Sequence, residues 1–253
     1  MRMRLESFNA ICSVVVAGAV IGICSADSQA KTGQVQSVVE LFTSQGCSSC
    51  PPADALLKSY VERPDVLALS YPVDYWDYLG WKDTMASARN SQRQREYAET
   101  RGDGAVYTPQ AVINGRAHAV GSRRKKIDKA IMALTKLSPV NLPVEIAKED
   151  GSMVIKLGST PDASGPPATA ATVWLAVVQK TATVEIKRGE NRGRHLKYYN
   201  VVRELSPVGT WTGQPNVIRL MSDAVSMEHS DACAVLVQEG TGGPIIGAAW
   251  LDF

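Results

Sequence analysis

The sequence predicts an α/β domain over residues 31–138, followed by an all-β, sandwich-like domain over 139–253, behind a signal peptide at 1–30. Three observations carry this reading. Up to residue 137, apolar runs of strand length alternate with segments of helical period. At Pro139 the texture changes to short apolar runs separated by turn residues, with no helical period. The first thirty residues have the layout of a cleaved targeting segment.

Arg2 and Arg4 supply that segment's positive start, 11–24 is its apolar stretch, and Ser28-Gln29-Ala30 offers a small-residue cleavage site. The apolar run is too short to span a bilayer. The mature chain is expected to begin near Lys31. Lipidation at Cys24 would want a small residue where Ile23 stands, so soluble export is favoured. With no other long apolar stretch, the expectation is a periplasmic or secreted protein without stable membrane insertion after signal cleavage.

In the first domain, 38–42 reads as a buried strand, 43–46 as a turn and 53–63 as a helix ended by Pro64. A second strand follows at 66–71. The Arg- and Gln-rich segment 86–101 reads as a solvent-washed helix, broken by Gly102-Asp103-Gly104. Residues 106–116 give a strand and an Asn114-Gly115 hairpin turn, and 117–120 the returning strand. Ser122 is a fair cap for a closing helix through Leu137. The order is βαβαββα.

In the second domain, 142–147 and 153–157 alternate around Asp150-Gly151, a hairpin signal. Residues 161–170 form a loop rich in Pro, Gly and Ala. Strand-like runs follow at 173–178, 183–187, 196–203, 217–220, 234–238 and 245–251. The glycine-rich polar stretch 188–194 connects two of them; reaching over the cysteine site or contacting a partner is open to it, with a hairpin loop as the default and no phosphate-loop spacing.

The 253 residues are 45% hydrophobic and 21% charged, as in ordinary globular proteins. A net charge of +2 is too mild to imply nucleic acid or an anionic membrane as partner. Signal cleavage would remove Cys12 and Cys24 and leave Cys47, Cys50 and Cys233. In an oxidising compartment a Cys47–Cys50 bridge forms readily, but its loop is too short for much entropic stabilisation.

Cys47-Ser48-Ser49-Cys50 lies at the strand-to-helix junction, ahead of Pro51-Pro52. A thiolate there faces unpaired backbone N–H groups and the positive end of the helix dipole, which lowers its pKa. The spacing alone leaves redox, metal and structural roles open. Cys47, nearer the helix start and expected to be exposed, is the nucleophile candidate, with Cys50 resolving the mixed disulfide.

The Tyr75-Trp76-Asp77-Tyr78-Leu79-Gly80-Trp81 block is the most unusual local composition. Tyr75 and Trp76 are candidates for gripping a substrate beside Cys47, against the bland reading that such rings pack the fold. Asp74, Asp77 and Asp83 match no calcium loop and read as solvated or capping carboxylates. The run 123–126 is a solvated basic face. Cys233, in an apolar strand, reads as a small buried hydrophobe. His118, His195 and His229 form no triad or ligand pattern.

The cysteine pair at the first helix, with Thr108-Pro109 before a hairpin strand, resembles the thioredoxin superfamily. That resemblance implies a thioredoxin-like α/β domain, a cis Thr108–Pro109 bond, and Thr108 and Pro109 as substrate-docking residues. It also implies a buried carboxylate that moves protons, for which Glu40 is the candidate. A surface glutamate, or one satisfied by a lysine, is the competing reading. Residues 42–54, 73–81 and 107–110 are similar to a secreted bacterial thioredoxin-like family catalogued as domain of unknown function 1223. A histidine commonly precedes the Val-Asp-Tyr-Trp block there, where this chain has Pro72.

These readings converge on an exported thiol–disulfide oxidoreductase that exchanges disulfides with a protein dithiol or disulfide partner in the periplasm, without cofactor, metal or nucleic acid. One rival is a binding module whose disulfide is static. The other is a copper metallochaperone, disfavoured because no second cysteine pair, Met cluster or His cluster completes a site.

Overall fold

The computed structural model describes residues 35–159, 170–221 and 230–253. The expected signal peptide with its Lys31 start, nearly all of the loop at 161–170, and His229 lie outside the described residues. No helix among the described residues is long and apolar enough to cross a membrane.

The chain runs β1 (Ser37–Thr43), α1 (Pro51–Val61), β2 (Val66–Pro72), a 3-10 turn (Asp77–Leu79), α2 (Ala88–Arg101), β3 (Gln110–Ile113), β4 (Ala117–Val120) and α3 (Arg124–Leu137). It continues through β5 (Val144–Glu149), β6 (Ser152–Leu157), β7 (Ala171–Glu185), β8 (His195–Trp211), β9 (Asn216–Met221), β10 (Ala232–Glu239) and β11 (Ile245–Asp252). Pro51 and Pro52 open α1, where missing N–H groups cost nothing. Asn114 and Gly115 take positive φ in the β3–β4 hairpin, and a Cβ on Gly115 would meet the Gly243 carbonyl at 2.3 Å.

The expected thioredoxin-like α/β domain followed by a separate all-β sandwich does not form. Of the described residues 44% are strand and 21% helix, and eight strands from both halves make one mixed sheet, ordered β11-β10-β7-β8-β2-β1-β3-β4. A three-stranded sheet, β5-β6-β9, lies beside it. The two halves join where β8 meets β2 in parallel at Ser70 and Val201, and the Asn200 amide donates to the Ala68 carbonyl at 3.0 Å. Asn200 holds a φ of +46°, a conformation asparagine tolerates better than most residues.

The physical reason is a shared core. Side chains alternate across a strand, so Val38 and Phe42 of β1 face one side while Val39 and Leu41 face the other. On the first side they pack in one cluster with Val112, Tyr97 of α2, and Ala176, Val202 and Leu236 from the C-terminal strands. On the second, α1 and α3 cover β1–β4. The small sheet covers β7, β10 and β11 through Ile146, Met153, Ile155 and Val235. Neither half closes its core alone.

Helix α2 also differs from expectation. It buries Asn90, Ser91, Arg93, Gln94, Tyr97 and Ala98. Arg93 donates to Glu40 Oε1 at 2.7 Å, to Gln238 Oε1 of β10 at 2.9 Å and to the Tyr97 hydroxyl at 2.8 Å. A polar face read as solvent-washed is therefore the buried polar tie between the halves.

Candidate functional site

Cys47 and Cys50 form a disulfide, with Cα atoms 5.4 Å apart, at the start of α1. Cys50 is the N-cap residue, has helical backbone angles, and leaves the cap without a side-chain hydrogen bond. Its sulfur thus sits at the positive end of the helix. Contrary to expectation Cys47 is not exposed: its residue exposure is 2% and that of Cys50 is 0%. The loop is closed in by two neighbours. The backbone and Cβ of Trp76 press on Gly46, and Asn191 donates its amide hydrogens to the carbonyls of Gln45 and Cys47, each at 2.9 Å.

Asn191 belongs to the 188–194 connector between β7 and β8. There the Ser48 N–H donates to Glu190 Oε2 at 3.1 Å, and Gly189 lies against Trp81. The connector is accordingly a strap fastened to the cysteine loop rather than a free hairpin tip. Gln45, fully buried, is the hub beneath it: it receives the Trp81 indole N–H at 2.8 Å and donates its backbone N–H to Asp83 at 2.8 Å.

Asp54 stands one helical turn after Cys50, on the same face of α1. It is 4% exposed and accepts a hydrogen bond from the Thr43 hydroxyl at 2.7 Å. Desolvation pushes its carboxyl up to about 8, against the Thr43 hydrogen bond and with help from Asp83. Asp83, read from sequence as a solvated or capping carboxylate, is buried and accepts from the Gln45 and Met85 N–H groups, and desolvation lifts it to about 6 against those bonds. A groove of about 200 Å³, lined by Pro51, Asp54, Ala55, His195, Leu196, Lys197 and Tyr199, opens beside the first turn of α1.

The other sequence candidates divide. The Thr108–Pro109 bond is cis. Pro109 approaches the first turn of α1 through Gly121, where a Cβ would lie 3.1 Å from the Ala53 Cβ and 3.2 Å from the Pro109 Cβ. Thr108 is half-buried beside it. Tyr75 donates to Gln94 Oε1 at 3.1 Å, and desolvation pushes its phenol up to about 12. Tyr75 and Trp76 both pack against the main core, with Trp76 touching Gly46, so Trp76 borders the cysteine loop while Tyr75 serves α2.

Glu40 is fully buried on the α2 side of β1, paired with Arg93 and the Tyr97 hydroxyl. Strand parity turns it away from α1, where Thr43 reaches Asp54. The buried carboxyl four residues after Cys50 is Asp54, which an Asp in a first helical turn conceals, because that position ordinarily answers the helix dipole in solvent. Asn191 and Glu190 lie in the polar connector and Gln45 in the 42–54 segment that carries the resemblance, but nothing in the sequence picks out these individual residues. Cys233 is buried against Met153, and desolvation pushes its thiol up to about 12. Among the described residues no group of three or more His, Cys, Asp or Glu is placed to hold a metal.

The family described as "Protein of unknown function (DUF1223)" matches residues 38–238. No curated protein is significantly similar to the chain. A crystal structure of a protein from Agrobacterium tumefaciens is 37% identical with a TM-score of 0.76, over 87% of this chain and 95% of that one. HBP35 of Porphyromonas gingivalis is 12% identical with a TM-score of 0.56, over 86% of this chain and 74% of that one, a likeness of fold alone.

Proposed function

The chain belongs to the DUF1223 family, and we propose that it is an exported thiol–disulfide oxidoreductase acting on protein partners in the periplasm or outside the cell. The observation that carries this reading is Asp54, a buried carboxyl that keeps its proton to about pH 8 one turn from Cys50. Strongly shifted pKa values gather where chemistry is done, and Thr43 holds this carboxyl in the first turn of the helix that Cys50 caps.

In the reducing direction the Cys47 thiolate attacks a partner disulfide, forming a mixed disulfide and releasing one partner thiolate. Ionised Asp54 takes the Cys50 proton. The Cys50 thiolate then attacks the Cys47 sulfur, releases the second partner thiol and closes the Cys47–Cys50 bridge. Two electrons pass to the partner. In the oxidising direction a partner dithiol reverses each step, and Asp54 returns the proton to Cys50. Thr108 and Pro109 are assigned the docking of the partner strand, and the groove lined by Asp54 gives its proton a route to solvent.

Trapping tests the order of attack. The Cys50→Ser variant is expected to accumulate a mixed disulfide with a disulfide-bonded peptide through Cys47, and Cys47→Ser is expected to trap far less. Equal trapping by both variants contradicts these roles. Burial of both sulfurs favours a second reading, a non-enzymatic binding module with a static bridge. The redox potential of the pair separates the two.

A further inference from the structure

The strap over the cysteine loop concentrates basic charge, as the run 123–126 at the start of α3 also does, but only the strap lies against the cysteines. Between 187 and 197 stand Lys187, Arg188, Arg192, Arg194 and Lys197 against one carboxylate, Glu190, in a protein whose whole net charge is only +2. All five basic residues are exposed. Glu190 is already engaged with the Ser48 N–H. Arg194 leans inward to Asn191 Oδ1 at 3.2 Å, while Arg188 and Arg192 have no carboxylate partner within ion-pair distance among the described residues.

The position of this charge is fixed rather than loose. Gly193 donates to the Ile186 carbonyl at 2.7 Å and Ile186 to the Arg194 carbonyl at 2.9 Å, closing the base of the strap. Fully buried Asn191 pins its tip to Gln45 and Cys47. Arg188 and Arg192 therefore flank, within three residues, the contact that closes the Cys47 loop. A solvated charge run has no such anchor. Like charges held together beside a reactive group repel one another unless an opposite charge arrives to offset them.

We infer that this strap is the docking surface for an acidic polypeptide, engaged through Arg188 and Arg192, which brings the partner's cysteines to the Cys47–Cys50 bridge. The inference rests on the redox reading of that bridge for its purpose. Docking on the strap also places the partner on the segment that closes over Cys47, so binding and access to the sulfur occur at the same place.

The test is fluorescence anisotropy with the oxidised full chain and two labelled short peptides free of cysteine, alike except that one carries glutamates where the other carries lysines. The acidic peptide is expected to bind at least about tenfold more tightly at low salt, with the gap closing at high salt. Arg188→Glu/Arg192→Glu is expected to abolish or reverse the preference. Arg188→Ser/Arg192→Ser, which removes the charge without reversing it, is expected to lose the preference and serves the same purpose should the charge-reversed variant not fold. Equal affinities, a preference untouched by salt, or tighter binding of a short single-stranded oligonucleotide overturns the proposal. This readout involves no thiol chemistry. A lost preference alongside an exchange-competent cysteine pair overturns the surface alone. A preference kept beside an inert bridge removes only the redox purpose and leaves the surface standing.

Discussion

The carboxyl of Asp54 lies one helical turn beyond Cys50, buried to 4% exposure and hydrogen-bonded to Thr43, and it holds its proton to about pH 8. In the proposed exchange the protonated carboxyl is the donor to a departing thiolate, and the ionised one the base for the reduced pair. On that proposal one group links the redox step to pH and also weighs on stability.

That coupling fixes a sign. The unfolded carboxyl titrates near 3.8 and the folded one near 8, so between those values the folded chain binds a proton that the unfolded chain has released. Stability is therefore expected to fall as pH rises from about 4 to about 8 and to level off above. Asp83, lifted to about 6, adds to the lower part of that window. Asp54→Asn is expected to be more stable than wild type at about pH 9, by on the order of 2 kcal/mol, with the advantage shrinking towards pH 4. Urea unfolding across a pH series reads this, and a difference that does not vary with pH contradicts it.

Asn191 donates to two buried carbonyls of the cysteine loop, so Asn191→Ala strips the Gln45 carbonyl of that donor and leaves the Cys47 carbonyl with only the Cys50 N–H. The expected cost is about 2 kcal/mol. The same variant is expected to speed reduction of Cys47–Cys50 by dithiothreitol, because the strap no longer holds the loop shut. A reduction rate equal to wild type contradicts the closing role.

Glu40 and Arg93 are a buried ion pair on the far face of β1. Glu40→Ala strands the Arg93 charge and is expected to destabilise by about 3–5 kcal/mol. Because that face looks away from α1, the potential of the cysteine pair is expected to stay within about 30 mV of wild type, the equivalent of about 1.4 kcal/mol. A large potential shift without loss of stability reinstates Glu40 as a member of the redox site.

Gly121 lies where Leu41, Ala53 and Pro109 converge, and a Cβ there would stand 2.5 Å from a Leu41 methyl. Gly121→Ala is expected to cost about 1–3 kcal/mol by overpacking. Exchange with a disulfide peptide is expected to slow as Pro109 is pushed from the first turn of α1. Unchanged exchange kinetics contradict Pro109 as part of the docking surface.

The sequence made local matters legible and hid global ones. The Asn114-Gly115 turn, Pro51-Pro52 at the start of α1 and the apolar runs of β1 and β2 are short-range signals, and each element lies close to where the pattern places it. The join of the halves depends on Arg93 reaching Glu40 and Gln238 across 53 and 145 residues, and a polar helix face looks the same whether water or buried partners satisfy it. Fifteen- and seventeen-residue strands β7 and β8 were legible only as fragments, because their outer ends are half-exposed and alternate weakly. At the site, the cysteines and Pro109 were readable as motif. Asp54 and Asn191 were not, since burial of a polar side chain is set by what folds over it.

The most direct test of the account is the reduction potential of Cys47–Cys50, titrated against glutathione. A working exchanger is expected to lie between about −120 and −270 mV, with the value moving as pH crosses about 8 where Asp54 titrates. A potential below about −300 mV marks an inert structural bridge and contradicts the oxidoreductase.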